Sequence, residues 1–209
     1  VERLDSLLLA NDSVYGPFHD LRSLIARMSL AEADVWGITD SWERRFHVQS
    51  FFLLFGKKAL TSAAFTRFWR RIRYIQAKSW IISRYEIGLT RAMIAGGLRC
   101  RALFPYRTAA AAFKGRSPQK SGPLGRNERR FLRNLSEVID AGIPLNSTHF
   151  LWETMISMGC PFLKRELLRD NPARIPGVQR WEQVVRSVSE YDTDLIVRDL
   201  EVSLRGRSV

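Results

Sequence analysis

The sequence predicts an α/β protein: one mixed sheet flanked by helices, followed by a helical C-terminal extension. Three observations carry this. Short apolar runs bounded by turn formers alternate with helical periodicities as far as Phe104, in the order strand, helix, strand, strand, helix, helix, strand. Beyond residue 126 apolar positions recur only at helical spacing. The composition, 45% hydrophobic and 26% charged over 209 residues, excludes wholesale disorder and fibrous repeats, and a chain of this length buries a core without disulfide or metal staples.

Each element has its own signal. Residues 7–10 (LLLA) read as a buried strand that stops at the turn-forming run Asn11-Asp12-Ser13. A core strand so near the start points to a truncated chain. Pro17 suits the first turn of a helix on which Phe18, Leu21, Ile25 and Met28 share a face. Residues 34–39 (DVWGIT) form a short strand ending at Asp40-Ser41, and residues 47–55 (HVQSFFLLF) a longer one rich in aromatic residues and Val. Helices are expected over 61–72 and 79–95, the second closing at Gly96-Gly97, and a further strand over 98–104. The domain plan is a core over 1–114, a mobile Ser/Pro/Gly/Lys-rich loop over 115–125 and a helical extension over 126–209. In the extension Phe131, Leu132, Leu135, Val138 and Ile139 make one stripe, Gly142 stops it, and further helices begin near Phe150, Gln179 and Asp194.

The balance of 33 Lys and Arg against 21 Asp and Glu gives a net charge of +12, which favours an anionic partner. Nucleic acid, an acidic leaflet and the pyrophosphate of a sugar nucleotide all satisfy it. The longest charge-free apolar stretch, 46–56, falls well short of the roughly 18 residues that cross a bilayer, and no secretion signal opens the chain. Cys100 and Cys160 lack the paired spacing of a zinc site and fit a reducing cytosol.

Candidate chemistry sits at strand ends and on one helix. Asn11-Asp12-Ser13 ends an apolar strand, where open α/β sheets place their ligand crevice. A carboxylate there can bridge phosphates through a divalent metal or bond a sugar hydroxyl, and an Asx turn is the plainer reading. Glu86 falls inside the apolar stripe of Ile82, Tyr85, Leu89 and Met93, so its carboxylate points inward. An inward carboxylate is paired, hydrogen-bonded or a general base, with a structural ion pair an even competitor. Asp40, His47 and Gln49 stand at strand edges, where sugar hydroxyls can be read. The run 65–74 (FTRFWRRIRY) reads as a core face backed by solvated arginines, and segment 101–133 holds nine Lys and Arg against the single acid Glu128. No G-x-S-x-G elbow, phosphate loop or dinucleotide fingerprint is present.

Six blocks in order, LLLANDSVYGPF (7–18), DVWGITDS (34–41), FHVQSFFLLFGKKAL (46–60), FTRFW (65–69), SRYEIGLTRAMIAGG (83–97) and THFLWETMISMGCPFLKRELLRDNP (148–172), together resemble the rhamnan synthesis protein F family of bacterial polysaccharide glycosyltransferases. The resemblance implies a GT-A-like (Rossmann-like) fold read from its middle, whose nucleotide-binding half would precede Val1 and is missing here. It implies an inverting transfer of a sugar, L-rhamnose foremost, from a thymidine-diphosphate donor to a glycan or lipid-linked glycan hydroxyl, in the cytoplasm and peripheral to the inner face of the membrane, where an anionic surface is a further partner. Glu86 would be the catalytic base, Asn11, Asp12 and Ser13 the donor contacts, and Asp40, His47 and Gln49 the acceptor contacts. Asp12 would be the ligand of a Mg or Mn ion, although one carboxylate stands where that fold carries two. A non-catalytic basic module binding RNA or anionic membrane is the alternative; an inward glutamate serves no purpose in phosphate tracking, so nucleic acid is not the expected partner.

Overall fold

The computed structural model describes residues 3–115 and 125–205. The interior of the expected loop, 116–124, lies outside the described residues. In chain order the first elements are β1 (Ser6–Ala10), β2 (Val14–Tyr15), α1 (Leu21–Ala26), β3 (Val35–Ser41), β4 (His47–Val48), β5 (Phe52–Gly56), α2 (Lys57–Leu60) and α3 (Ala63–Arg70). There follow α4 (Lys78–Ile81), a π-helical segment (Ile82–Ile87), α5 (Gly88–Ala95), β6 (Cys100–Phe104), α6 (Tyr106–Lys114) and α7 (Arg126–Asp140). The chain continues through α8 (Ser147–Phe150), α9 (Trp152–Ser157), β7 (Leu163–Lys164), α10 (Arg165–Arg169), a 3-10 turn (Val178–Arg180), α11 (Trp181–Arg186) and α12 (Asp194–Arg205). Two compact units result: the residues up to Asn11 with Arg22–Tyr106, and Asp12–Leu21 with the residues from Arg107 onward.

The first unit is built on a mixed sheet. β1 pairs antiparallel with β5, β5 antiparallel with β3, and β3 parallel with β6. All residues of β3 and β5 are buried, which is why both read as unbroken apolar runs rather than alternating ones. The expected strand 47–55 is interrupted. Asp40 pairs with Val48 and Gly37 with Leu53, so the four residues from Gln49 to Phe52 stand opposite only Ile38 and Thr39, a two-residue bulge. Val35, Leu53, Phe55, Phe65, Leu89 and Met93 form the core under this sheet. The Ser62 hydroxyl caps α3 by accepting from Phe65 N at 3.1 Å, which sets the Phe65 ring edge-on to Phe55 with centroids 5.2 Å apart. Gly97, at φ 77°, ends α5 as expected, in a conformation that favours glycine.

Buried Asp34 ties the start of this sheet together. Its Oδ2 accepts from Arg99 N at 2.8 Å and from Lys58 Nζ at 3.3 Å, and its Oδ1 lies 3.4 Å from Arg99 Nη2. Burial alone would raise this carboxyl, but the Arg99 amide and guanidinium and the Lys58 ammonium outweigh it and hold it below the ordinary range.

In the second unit β2 and β7 form a two-stranded antiparallel sheet over a core that includes Tyr15, Phe18, Trp152, Ile156, Leu163 and Ile196. The C-terminal third is therefore helical except at β7. The helix expected from Pro17 is also displaced. The Gly16–Pro17 peptide is cis, Phe18 N donates to Pro161 O at 2.9 Å, and α1 begins only at Leu21. Gly16, at φ 122°, lies so close to Pro161 that a Cβ would meet its carbonyl oxygen at 2.3 Å. Tyr15 Oη donates to Asp199 at 2.7 Å, and Arg165 Nη2 bonds the same carboxylate at 3.0 Å. Burial first, and the Asp199 carboxylate second, push the Tyr15 phenol up to about 12. Among the described residues no helix is long and apolar enough to cross a membrane.

Candidate functional site

The C-terminal end of β3, where it runs parallel to β6, carries a group of buried polar side chains: Thr39, Asp40, Ser41, His47, Gln49 and Thr90. Four of them are used locally. Thr39 Oγ1 donates to Gln49 Oε1 at 2.6 Å, bracing the bulge. Asp40 Oδ1 accepts from Tyr106 N at 2.6 Å, at the start of α6, where a carboxylate is favoured. Burial raises the Asp40 carboxyl more than that amide, the Trp42 indole and nearby His47 lower it. Thr90 Oγ1 accepts from Val48 N at 3.1 Å, satisfying an amide that faces away from β3, since the ladder bond falls next door from Gln49 N to Thr39 O.

Glu86 stands in the π-helical segment, a widened turn of the kind that recurs at functional sites. Its side chain is turned inward and 19% exposed. Oε2 accepts from Ser50 Oγ at 2.6 Å and Ser50 N at 3.2 Å, both on the bulge. Oε1 lies 3.3 Å from His47 Nε2. His47 Nδ1 is 2.9 Å from the Arg45 carbonyl oxygen, which can only accept, so Nδ1 carries a hydrogen. Nε2 and Oε1 then meet as two lone pairs unless a proton sits between them. Burial by itself would lower the imidazole, but the Glu86 carboxylate and the Arg45 carbonyl, with Glu43 adding, raise it above its ordinary value.

A cavity of about 260 Å³ opens beside this carboxylate. Its polar lining comes from Asn11, Ser50 and Glu86, and its apolar walls include Leu53, Phe68, Trp69, Ile82, Tyr85 and Leu89. The fold thus brings Asn11 and Glu86, far apart in sequence, to one cavity, with His47 behind. Asp40 and Gln49 are buried at the same strand end and satisfied by protein partners. Asp12 and Ser13 belong to the second unit, where Arg165 engages them: its Nη1 lies 3.4 Å from Asp12 Oδ2 and its backbone N donates to Ser13 O at 3.0 Å. The Asp12 carboxylate is otherwise exposed, and among the described residues no three His, Cys, Asp or Glu side chains form a group able to hold a metal ion. Among the described residues, Asp12 alone does not make a resident metal site. In the basic segment, Arg101 pairs with Glu32 and lies over the Trp36 ring, and Lys114 pairs with Asp140.

The sequence reading missed Ser50, Thr39 and Thr90, because a hydroxyl inside an apolar run has no periodicity of its own. One signal was present for Glu86 itself: it is the only acid between Glu43 and Glu128.

A mixed α/β sheet with a hydrogen-bonded glutamate at a cavity beside its strand ends defines the class of the first unit. The model of the family described as rhamnan synthesis protein F matches residues 1–119, and the chain belongs to this family. It is 31% identical over 194 residues to virulence protein VirA of Vibrio anguillarum (strain ATCC 68554 / 775), covering 91% of this chain and 60% of that protein. An uncharacterised protein, y4gN, of Sinorhizobium fredii (strain NBRC 101917 / NGR234) is 31% identical over 113 residues, covering 52% of this chain and 30% of its own length. The chain thus spans 60% or less of the length of these relatives. No solved structure matches the chain.

Proposed function

We propose that the chain is the acceptor-side part of a GT-A-like glycosyltransferase that moves a sugar, L-rhamnose foremost, from a thymidine-diphosphate donor onto a hydroxyl of a growing cell-surface glycan, with inversion. Membership of a family named for rhamnan synthesis supports the substrate class. The observation that carries the reaction type is the Glu86 carboxylate, fixed by Ser50 and His47 at the wall of a cavity large enough for a sugar ring. The acceptor O–H bond breaks and its proton passes to Oε1, in the gap shared with His47 Nε2. The freed oxygen pair forms the bond to the anomeric carbon, and the bond from that carbon to the diphosphate oxygen breaks, its electrons leaving with the diphosphate. His47 is a positioning residue: its ring, anchored through Nδ1, shares the proton Glu86 receives. Asp40 and Gln49, being buried, hold the strand end rather than touch the sugar. A lipid-linked glycan at the inner face of the membrane is the acceptor this reading favours. Any Mg or Mn ion enters with the donor's phosphates, since Asp12 alone is a poor site.

The test is transfer by the full-length protein carrying Glu86→Gln, which keeps the size of the side chain. Loss of a positioned base lowers turnover by about a hundredfold or more. A rate near that of wild type removes Glu86 from the role of base and, with it, this mechanism.

A further inference from the structure

Beside the Glu86 cavity the first unit carries a second, larger concavity of about 560 Å³, between α3 and the helix that begins at the π segment. Small residues make its floor, Ala64, Ala92 and Gly96 among them. The helices meet so closely there that a Cβ on Gly96 would lie 2.5 Å from that of Ala64. Three arginines line it: Arg67 from α3, Arg71 capping its C-terminus, and Arg84 from the π segment.

What sets these three apart is that they line one concavity together without a carboxylate among them. Arg101, Arg165, Arg180 and Arg186 each face a carboxylate. No such ion pair joins the side chains of Arg67, Arg71 or Arg84 among the described residues, and the local sequence cannot supply one, because no acid lies between Glu43 and Glu86. Arg67 on α3 and Arg71, the residue that caps its C-terminus, stand four residues apart and bring two like charges together, which a bound anion relieves. The planar fork of arginine matches phosphate oxygens in pairs. Phe68 and Tyr85, set edge to face with centroids 6.4 Å apart, line both the groove and the Glu86 cavity. Tyr85 is fixed there by its hydroxyl, bonded to both the backbone N and O of Arg73 at 2.7 Å.

We propose that Arg67, Arg71 and Arg84 form a diphosphate site, which holds the leaving group of the donor while the sugar reaches across Phe68 and Tyr85 into the Glu86 cavity. The assignment rests on the glycosyltransferase reading for its place in the reaction, but the binding itself does not. It also moves charge neutralisation away from the basic segment 101–133, whose Arg101 and Lys114 are already paired.

The experiment is calorimetric titration of thymidine 5′-diphosphate, inorganic pyrophosphate and thymidine into the full-length protein, as wild type, Arg67→Gln, Arg71→Gln, Arg84→Gln and the triple variant. Arg91→Gln, an exposed position on α5 outside the groove, controls for loss of one charge. Both phosphate compounds bind and thymidine does not; each groove substitution weakens binding by about fivefold and the triple by about a hundredfold. Binding also weakens as salt is raised, and Arg91→Gln leaves it unchanged. Equal losses in Arg91→Gln and the groove variants overturn the site, as does nucleotide binding untouched by the triple variant. So does preference for a single-stranded oligonucleotide over the diphosphate, which makes the groove part of a nucleic-acid surface. Diphosphate lost in the triple variant, together with transfer indifferent to Glu86→Gln, keeps the site and refutes the base.

Discussion

Replacing Thr90 by Val tests how the bulged strand is held. The side chain is 1% exposed, and its hydroxyl is the acceptor for Val48 N, the outward amide of β4. Valine keeps the shape and removes the acceptor, leaving a buried N–H unpaired, which costs about 1–3 kcal/mol. Thr90→Ser keeps the acceptor and loses one methyl, about 1 kcal/mol. The ordering Thr90, then Ser, then Val is the opposite of what hydrophobicity alone gives, since Val is the more apolar replacement. Thermal unfolding checks it, with a fall of roughly 2–4 °C for each kcal/mol in a chain of this size. Exchange of the Val48 amide adds a local readout, fast in Thr90→Val and slow in Thr90→Ser. A Val variant at least as stable as the Ser variant, with Val48 still protected, refutes the clamp.

Two further outcomes are expected. Asp34→Asn lowers stability at neutral pH by about 1–3 kcal/mol. Because the folded carboxyl lies below its ordinary value, Asp34 stabilises fully above about pH 4 and that contribution fades as pH falls through the folded pKa. Urea midpoints of wild type and variant therefore converge in acid, and a gap independent of pH shows that the carboxylate charge is not what acts. For metal, titration of Mg or Mn into the full-length protein without sugar nucleotide shows no tight binding, with or without Asp12→Ala. Tight binding that survives Asp12→Ala places an ion elsewhere.

DVWGIT and the FFLLF part of the longer run were legible because burial on both faces writes itself as apolar runs, and each falls on an observed strand. LLLA also falls on a strand, but β1 is an edge strand whose residues alternate between exposed and half-buried, not the buried strand expected. Glu86 was legible for the complementary reason, a charge inside an apolar helical stripe. What escaped is backbone irregularity. The residues Gln49 to Phe51 keep the strand-like composition of their neighbours while stepping out of register, and Ile82–Ile87 keeps a helical pattern while taking a wider turn. Neither leaves a mark that a period of two or 3.6 detects. The pairing of Val14 and Tyr15 with Leu163 and Lys164 was hidden differently: two residues are too short to show alternation, and the partner lies far along the chain.

Those two irregularities face each other, and that is the strongest structural reason to look for chemistry there. A bulge and a π segment each interrupt regular backbone pairing, and such departures persist only where surrounding contacts hold them. Here the contacts are side chains from one helix onto one strand: Glu86 to Ser50 and His47, and Thr90, a turn later, to Val48. The contacts of the Glu86 carboxylate include an imidazole, a hydroxyl and an amide. A carboxylate that bonds an imidazole, whose proton moves near neutral pH, and a serine on an irregular strand, while lining an apolar cavity, is the arrangement on which the proposed role as base rests, and Glu86→Gln decides between that role and a structural pair with His47.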